Sequence, residues 1–290
     1  MANQVIQTQP KFSVAIQSDA YKKLINNTLG DPEKAQKFVA SISSAVATNP
    51  ALQECSAGSI VSGALLGTTL NLSPSPQLGQ YYLVPFNNTK TGTKEATFIL
   101  GAKGYKQLAI RSGQYKDIDF IEVREGEYLG RDEETGKQRF KFIQDDEERE
   151  SKPIVGYLAY FELLNGFRKQ IYWSKTKMEN HADKYSKAFN LADYKKLQAG
   201  QIPQKDLWKY SSYWYTDFTG MAEKTLYRQL ISKYGVMSIE MQDAYTKDTT
   251  VIREDGTYEY VDNPNIEEAV VDEPIEKPTS EEKVASLDEI

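Results

Sequence analysis

The sequence predicts an α+β fold: an antiparallel β-sheet built from hairpins and packed on a long helix, with N-terminal helices before it and a disordered acidic C-terminal tail after it. Three observations predict this. Two strand-like runs, residues 80–86 and 95–100, flank the polar loop 87–94. Asn165-Gly166, a strong hairpin signal, lies between the apolar runs 154–164 and 167–173. Residues 218–234 carry Ala222, Leu226, Leu230 and Tyr234 at i+4 spacing, the stripe of a helix buried on one side.

In chain order, a polar lead is followed by a short helix over 18–29. Asp31-Pro32-Glu33 starts the next helix, with Asp as N-cap, Pro at the first helical position and an acid in the first turn. Phe38, Val39, Ile42 and Val46 follow at helical spacing until Asn49-Pro50 ends it. A helix from Ser56 through Leu70 is rich in small residues (Gly58, Ser59, Ser62, Gly63, Gly67), which suit close approach of another backbone, a neighbouring subunit or DNA. After the first hairpin, residues 103–111 read as a helix stopped by Ser112-Gly113. Residues 117–125 and 138–143 are strand candidates around the turn at Glu134-Thr135-Gly136, and 145–150 reads as a charged loop. Ser174 caps a helix into Tyr185, a lysine-rich irregular region follows, and Gly235 ends the long helix before a shorter one to Tyr245. From Lys247 the chain is acidic and aperiodic. The expected organisation is a lead with a short helix over 1–30, a core over 31–245, and a tail over 246–290.

The chain has 290 residues, 40% of them hydrophobic, enough to bury one large core or two small ones. No run approaches the roughly 20 apolar residues of a membrane span, and the first 12 residues have no apolar segment with a basic flank. One cysteine (Cys55) and one histidine (His181) cannot build a disulfide framework or a Cys/His zinc set, and they fit a reducing cytosol. The net charge of −6 hides an asymmetry. Residues 240–290 hold 16 acidic and 4 basic residues, while residues 1–239 hold 31 basic and 25 acidic. Within that body, 117–150 is itself acidic, with 13 acids against 6 bases. Such a pattern suits a polyanion-binding body, and equally an ordinary solvated surface with an unstructured tail.

Two segments carry candidate chemistry. In residues 101–111 a glycine turn opens a helix whose Lys103, Gln107 and Arg111 fall at i, i+4 and i+8, with Lys106 nearby. Cations beside a helix N-terminus suit phosphates because side chains and dipole attract the same charge, although the segment is no Walker A loop and also reads as a plain surface helix. In residues 205–228, Trp208, Lys209, Tyr210, Tyr213, Trp214 and Tyr215 precede Lys224 and Arg228. Single-strand binders combine cations with aromatic platforms, whereas a dense aromatic cluster also serves as core or subunit interface. The acids at 145–148 are adjacent in a loop and do not converge as a two-metal site.

At Asn49-Pro50-Ala51-Leu52, Leu72-Ser73-Pro74, Leu78-Gly79-Gln80-Tyr81-Tyr82-Leu83-Val84-Pro85-Phe86, Gly104-Tyr105-Lys106-Gln107-Leu108-Ala109-Ile110-Arg111-Ser112-Gly113, Trp214 and Met221-Ala222-Glu223-Lys224-Thr225-Leu226-Tyr227-Arg228, the chain resembles the RecT family of phage and prophage recombinases. The segments keep the family's order over roughly residues 45–245. The resemblance implies a fold related to that of the phage lambda Red beta protein and a role that is not enzymatic. That role is to bind single-stranded DNA and anneal complementary strands without ATP or another cofactor. It implies a homo-oligomeric ring or helical filament in the bacterial cytoplasm, holding single strands and annealed duplex in a basic groove between subunits. It further implies partnership with a phage exonuclease and with a host single-strand binding protein, and no membrane. The positions that look like DNA contacts are Lys103, Lys106, Gln107, Arg111, Lys209, Tyr210, Lys224 and Arg228, with the hairpin loop at 90–94 as an addition. A DNA-binding assembly protein that does not anneal, and a metal nuclease, are the alternatives from other classes.

Overall fold

The structure, a computed structural model, describes residues 11–88 and 92–260. Helices Phe12–Ala15 (α1), Asp19–Leu29 (α2), Pro32–Ala47 (α3), Pro50–Gln53 (α4) and Ala57–Thr69 (α5) come first. The Asp31 carboxylate accepts from the Glu33 and Lys34 amides at 2.8 and 3.3 Å, which starts α3 where the sequence places its cap. Asn49 does more than end α3, since its side chain accepts from the Leu52 amide and caps α4.

Strands Tyr81–Asn88 (β1) and Thr93–Leu100 (β2) form the first hairpin, in the register Tyr81↔Leu100 to Asn88↔Thr93. α5 packs against this hairpin and is buried from Ser59 to Gly67. Its small residues serve the chain's own sheet rather than a second subunit or DNA. A Cβ on Gly67 would lie 2.3 Å from the Tyr81 ring, and one on Gly63 would lie 2.8 Å from Leu83.

Helix Ala102–Arg111 (α6) leads to strand Tyr115–Arg124 (β3), the small hairpin Tyr128–Arg131 (β4) and Gln138–Phe140 (β5), and helix Asp146–Ser151 (α7). The expected charged loop at 145–150 is therefore a helix. Asp145 accepts from the Glu148 amide at 2.7 Å, and three acids follow in the first turn, where the helix dipole favours them. Strands Ile154–Leu163 (β6) and Arg168–Ser174 (β7) bracket Asn165-Gly166, and Gly166 supplies the positive φ of 84° that the turn requires.

Helices Lys175–Tyr185 (α8), Leu191–Gln198 (α9), Tyr213–Thr216 (α10), Phe218–Tyr234 (α11) and Ile239–Lys247 (α12) complete the α-helices of the described residues. α9 lies where an irregular region was expected, and its cap is Asn190, which accepts from the Asp193 amide at 3.0 Å. The last strands are Thr250–Ile252 (β8) and Tyr258–Tyr260 (β9). They extend the first hairpin into a sheet ordered β1-β2-β8-β9, while β3-β6-β7 form a second antiparallel sheet on which α11 lies.

The expected boundary at residue 245 is thus corrected: residues 246–260 are tied into the first sheet. Thr250, Val251 and Ile252 are all buried, and burying a β-branched strand outweighs the acidic composition around it. The remainder of the expected tail, 261–290, lies outside the described residues, as do 1–10 and the hairpin tip 89–91.

Candidate nucleic-acid interface

The β2–α6 junction is built by close backbone packing. The Gly101 amide donates to the Gln80 carbonyl at 2.9 Å. A Cβ on Gly101 would stand 2.1 Å from the Gly79 carbonyl oxygen, and one on Gly104 would stand 2.1 Å from that of Gln80. These glycines are required by the neighbouring segment, so their spacing alone is no sign of a phosphate loop. The junction nevertheless leaves α6 beginning with no side-chain cap at the edge of a cleft.

The cleft, of about 200 Å³, opens between the start of α6, the face of β1–β2 and the start of α11. Tyr82 and Tyr213 form one wall, their ring centroids 5.7 Å apart. Lys103 and Lys224 line it, together with the carboxylates Asp217 and Glu223. Asp217 is committed to capping α11, accepting from the Gly220 amide at 2.9 Å. Burial raises the Glu223 carboxyl above its ordinary value, with Lys106 pulling the other way. Burial, then the charge of Asp217, likewise raises the Tyr82 phenol.

The expected contact residues separate into groups. Lys103 and Gln107 are exposed on α6 and make no side-chain hydrogen bond or ion pair among the described residues. Lys106 pairs with Asp119 on β3 at 2.9 Å. The Arg111 guanidinium donates to the Leu70 and Asn71 carbonyls at 2.7 and 3.1 Å, occupying acceptors that the C-terminus of α5 leaves open.

Lys224 and Arg228 turn toward Asp248, whose side chain is 1% exposed. That carboxylate accepts from the Leu100 amide at 2.9 Å, the Tyr105 hydroxyl at 2.9 Å, Lys224 Nζ at 3.3 Å and Arg228 Nη1. Arg228 also lies 4.3 Å over the Tyr245 ring. One buried acid thus ties β2, α6 and α11 to the end of α12. Lys224 retains a place in the cleft wall, whereas Arg228, one turn further on, is not among the residues that line it.

The aromatic segment also divides. Trp214 is buried against Phe189 and Phe218, and Tyr210 packs edge-on to Tyr215 at 5.1 Å. Lys209 pairs with Asp206 at 2.8 Å, and neither Lys209 nor Tyr210 lines the cleft. Trp208 is 72% exposed, and only Tyr213 reaches the cleft. Sequence reasoning missed Tyr82 as the second aromatic wall, because its strand alternation reads as ordinary sheet, and missed Asp248 as the clamp.

Among the described residues, no helix is long and apolar enough to cross a membrane. The RecT family model matches residues 36–262, a span holding both sheets, the cleft and the Asp248 clamp. An uncharacterized protein of Bacillus subtilis (strain 168), YqaK, is 36% identical over 250 residues, covering 86% of this chain and 74% of that protein. Protein RecT of Escherichia coli (strain K12) is 30% identical over 220 residues, covering 74% of this chain and 71% of that protein.

Proposed function

The chain belongs to the RecT family, and from that premise we propose that it binds single-stranded DNA and anneals complementary strands in recombination, as an oligomer and without ATP. The observation that carries the reading is the family match over residues 36–262, which spans every element of the cleft. The site's chemistry supports it. Lys103 and Gln107 offer a cation and an amide with no side-chain hydrogen bond or ion pair among the described residues, at the uncapped start of a helix. Tyr82 and Tyr213 supply an aromatic wall, and Lys224 can shift between Asp248 and a phosphate at the cleft edge.

In this reading Lys103, Gln107 and Lys224 meet the DNA backbone directly. Arg111 ties α6 to the end of α5, Lys106 ties it to β3, and Arg228 ties α11 to Tyr105 of α6 and to Asp248, and all three add positive potential. Lys209 and Tyr210 contribute where the strand continues toward a neighbouring subunit. Contacts to phosphate carry no base information, so one strand can be held while its bases sample a second for complementarity. Exonuclease and host single-strand binding partners would supply and hand over those strands.

Binding of a fluorescent single strand across a salt series tests the interface. Affinity should fall steeply with salt and vary little with sequence, and Lys103→Ala should lower the magnitude of the log–log slope by about 1. A wild-type slope near zero would remove the cleft as a phosphate site.

A further inference from the structure

A second groove, of about 1300 Å³, lies between the β4–β5 hairpin and the exposed side of β6–β7, and it reaches Tyr234 at the end of α11. It is separate from the cleft. Lys224 lines one and Tyr234 the other, and ten residues of helix put about 15 Å between their backbones.

Its charge is unbalanced. Arg131, Lys137, Arg139 and Lys169 line it, and Lys177 and Lys233 adjoin it. Among the described residues none of these six has a carboxylate within ion-pair distance. The groove's two acids leave a positive excess: Asp132 accepts from the Thr135 amide and hydroxyl and also feels the charge of Arg139, and Glu162 pairs with Lys116 and with Arg168, a fifth cation of the lining. Burial, followed by the charges of Lys233 and Arg131, lowers the Lys177 ammonium below its ordinary value, and burial with Lys177 and Lys184 does the same to His181.

Aromatic rings accompany the cations. Lys177 Nζ lies 4.4 Å from the Trp173 ring centre and Lys169 Nζ lies 4.3 Å from that of Tyr234. Tyr234 and Phe167 remain 41% and 47% exposed. Unpaired cations alone would suit any polyanion. Cations set beside exposed rings suit a nucleic acid strand, whose phosphates and bases use both.

We propose that this groove is a second binding site for single-stranded nucleic acid, holding a strand apart from the one in the cleft. The proposal rests on the reading of the cleft as the first DNA site and extends it: each annealing partner would have its own seat on one subunit.

The test uses the full chain and a non-complementary oligodeoxythymidine, so annealing plays no part. Lysine acylation is followed by mass spectrometry with and without the strand, in wild type and in Arg131→Glu/Arg139→Glu, two exposed positions that leave every lysine in place. The strand should slow acylation of Lys169, Lys177 and Lys233 several-fold in wild type. That protection should vanish in the double variant, while protection of Lys103 persists. A strand carrying photoreactive 4-thiothymidine should cross-link to the peptides containing Trp173 or Tyr234, which reports direct contact and needs no variant.

Unchanged groove lysines beside a protected Lys103 would overturn the proposal and leave the cleft standing. Protected groove lysines beside an unprotected Lys103 would overturn the cleft and leave the groove. Shielding that needs no DNA also overturns the proposal. Shielding relieved by removing residues 261–290 would make the acidic segment the occupant, and shielding that grows with protein concentration would make the groove a contact between copies.

Discussion

Removal of the Asp248 carboxylate is the most informative single perturbation of this molecule. The side chain is 1% exposed and is surrounded by four donors: the Leu100 amide, the Tyr105 hydroxyl, Lys224 and Arg228. Asp248→Ala deletes the acceptor for all four and removes the carboxylate that Lys224 and Arg228 share. Breaking a buried ion pair in this way costs about 3–5 kcal/mol. The cations are 14% and 29% exposed, so partial rehydration moves the expected loss toward about 3 kcal/mol. The unmet Leu100 amide adds about 1 kcal/mol or more. Urea unfolding should therefore show a lower midpoint at unchanged slope. Adding Arg228→Met to Asp248→Ala should restore part of the loss, because it removes one stranded charge, with a coupling of about 1–3 kcal/mol. A loss below about 1 kcal/mol, or strictly additive effects, would refute the clamp.

Three further outcomes follow from the geometry. Gly104→Ala places a Cβ 2.1 Å from the Gln80 carbonyl, a backbone atom that cannot rotate away, so the variant should lose about 3 kcal/mol in urea unfolding; near-wild-type stability would deny the close packing at the β2–α6 junction. The single histidine should titrate below 6.5 by NMR in the free protein, because burial and then Lys177 and Lys184 oppose the imidazolium. With the folded value depressed, the folded state binds fewer protons, so the stability His181 contributes is present above pH 6.5 and falls away as pH drops through and below it. His181→Gln should flatten that part of the stability curve, and a midpoint at or above 6.5 would contradict the placement.

The fold class, the two principal hairpins and the long helix were legible because their signals are local: Asn165-Gly166, the alternation of residues 80–86 and 95–100, and the i+4 stripe of α11. Caps were legible too, at Asp31 and Ser174. The last sheet strands were obscured by composition. Thr250-Val251-Ile252 and Tyr258-Glu259-Tyr260 flank Asp255-Gly256, a hairpin turn pair in its own right, yet the surrounding acids made the segment read as tail. The physical consequence is large, since a truncation at residue 245 would remove the Asp248 clamp along with β8.

At the cleft, the polar face of α6 could be read from spacing, but which cations remain available could not. Ion pairs such as Lys106–Asp119 and Arg228–Asp248 join residues 13 and 20 positions apart, a distance that only the folded chain closes. The second groove was hidden by averaging. Residues 117–150 are acidic as a block, while Arg131, Lys137 and Arg139 line one groove and four of the acids, Asp145, Asp146, Glu147 and Glu148, lie at the start of α7.

The measurement that tests the central claim most directly is annealing of two complementary fluorescent oligonucleotides, in EDTA and without nucleotide, beside a non-complementary pair. The account predicts acceleration of the complementary pair alone, reduced by Lys103→Ala. No acceleration by a folded, DNA-binding protein, or equal effects on both pairs, would contradict it and leave a DNA-binding assembly protein in its place.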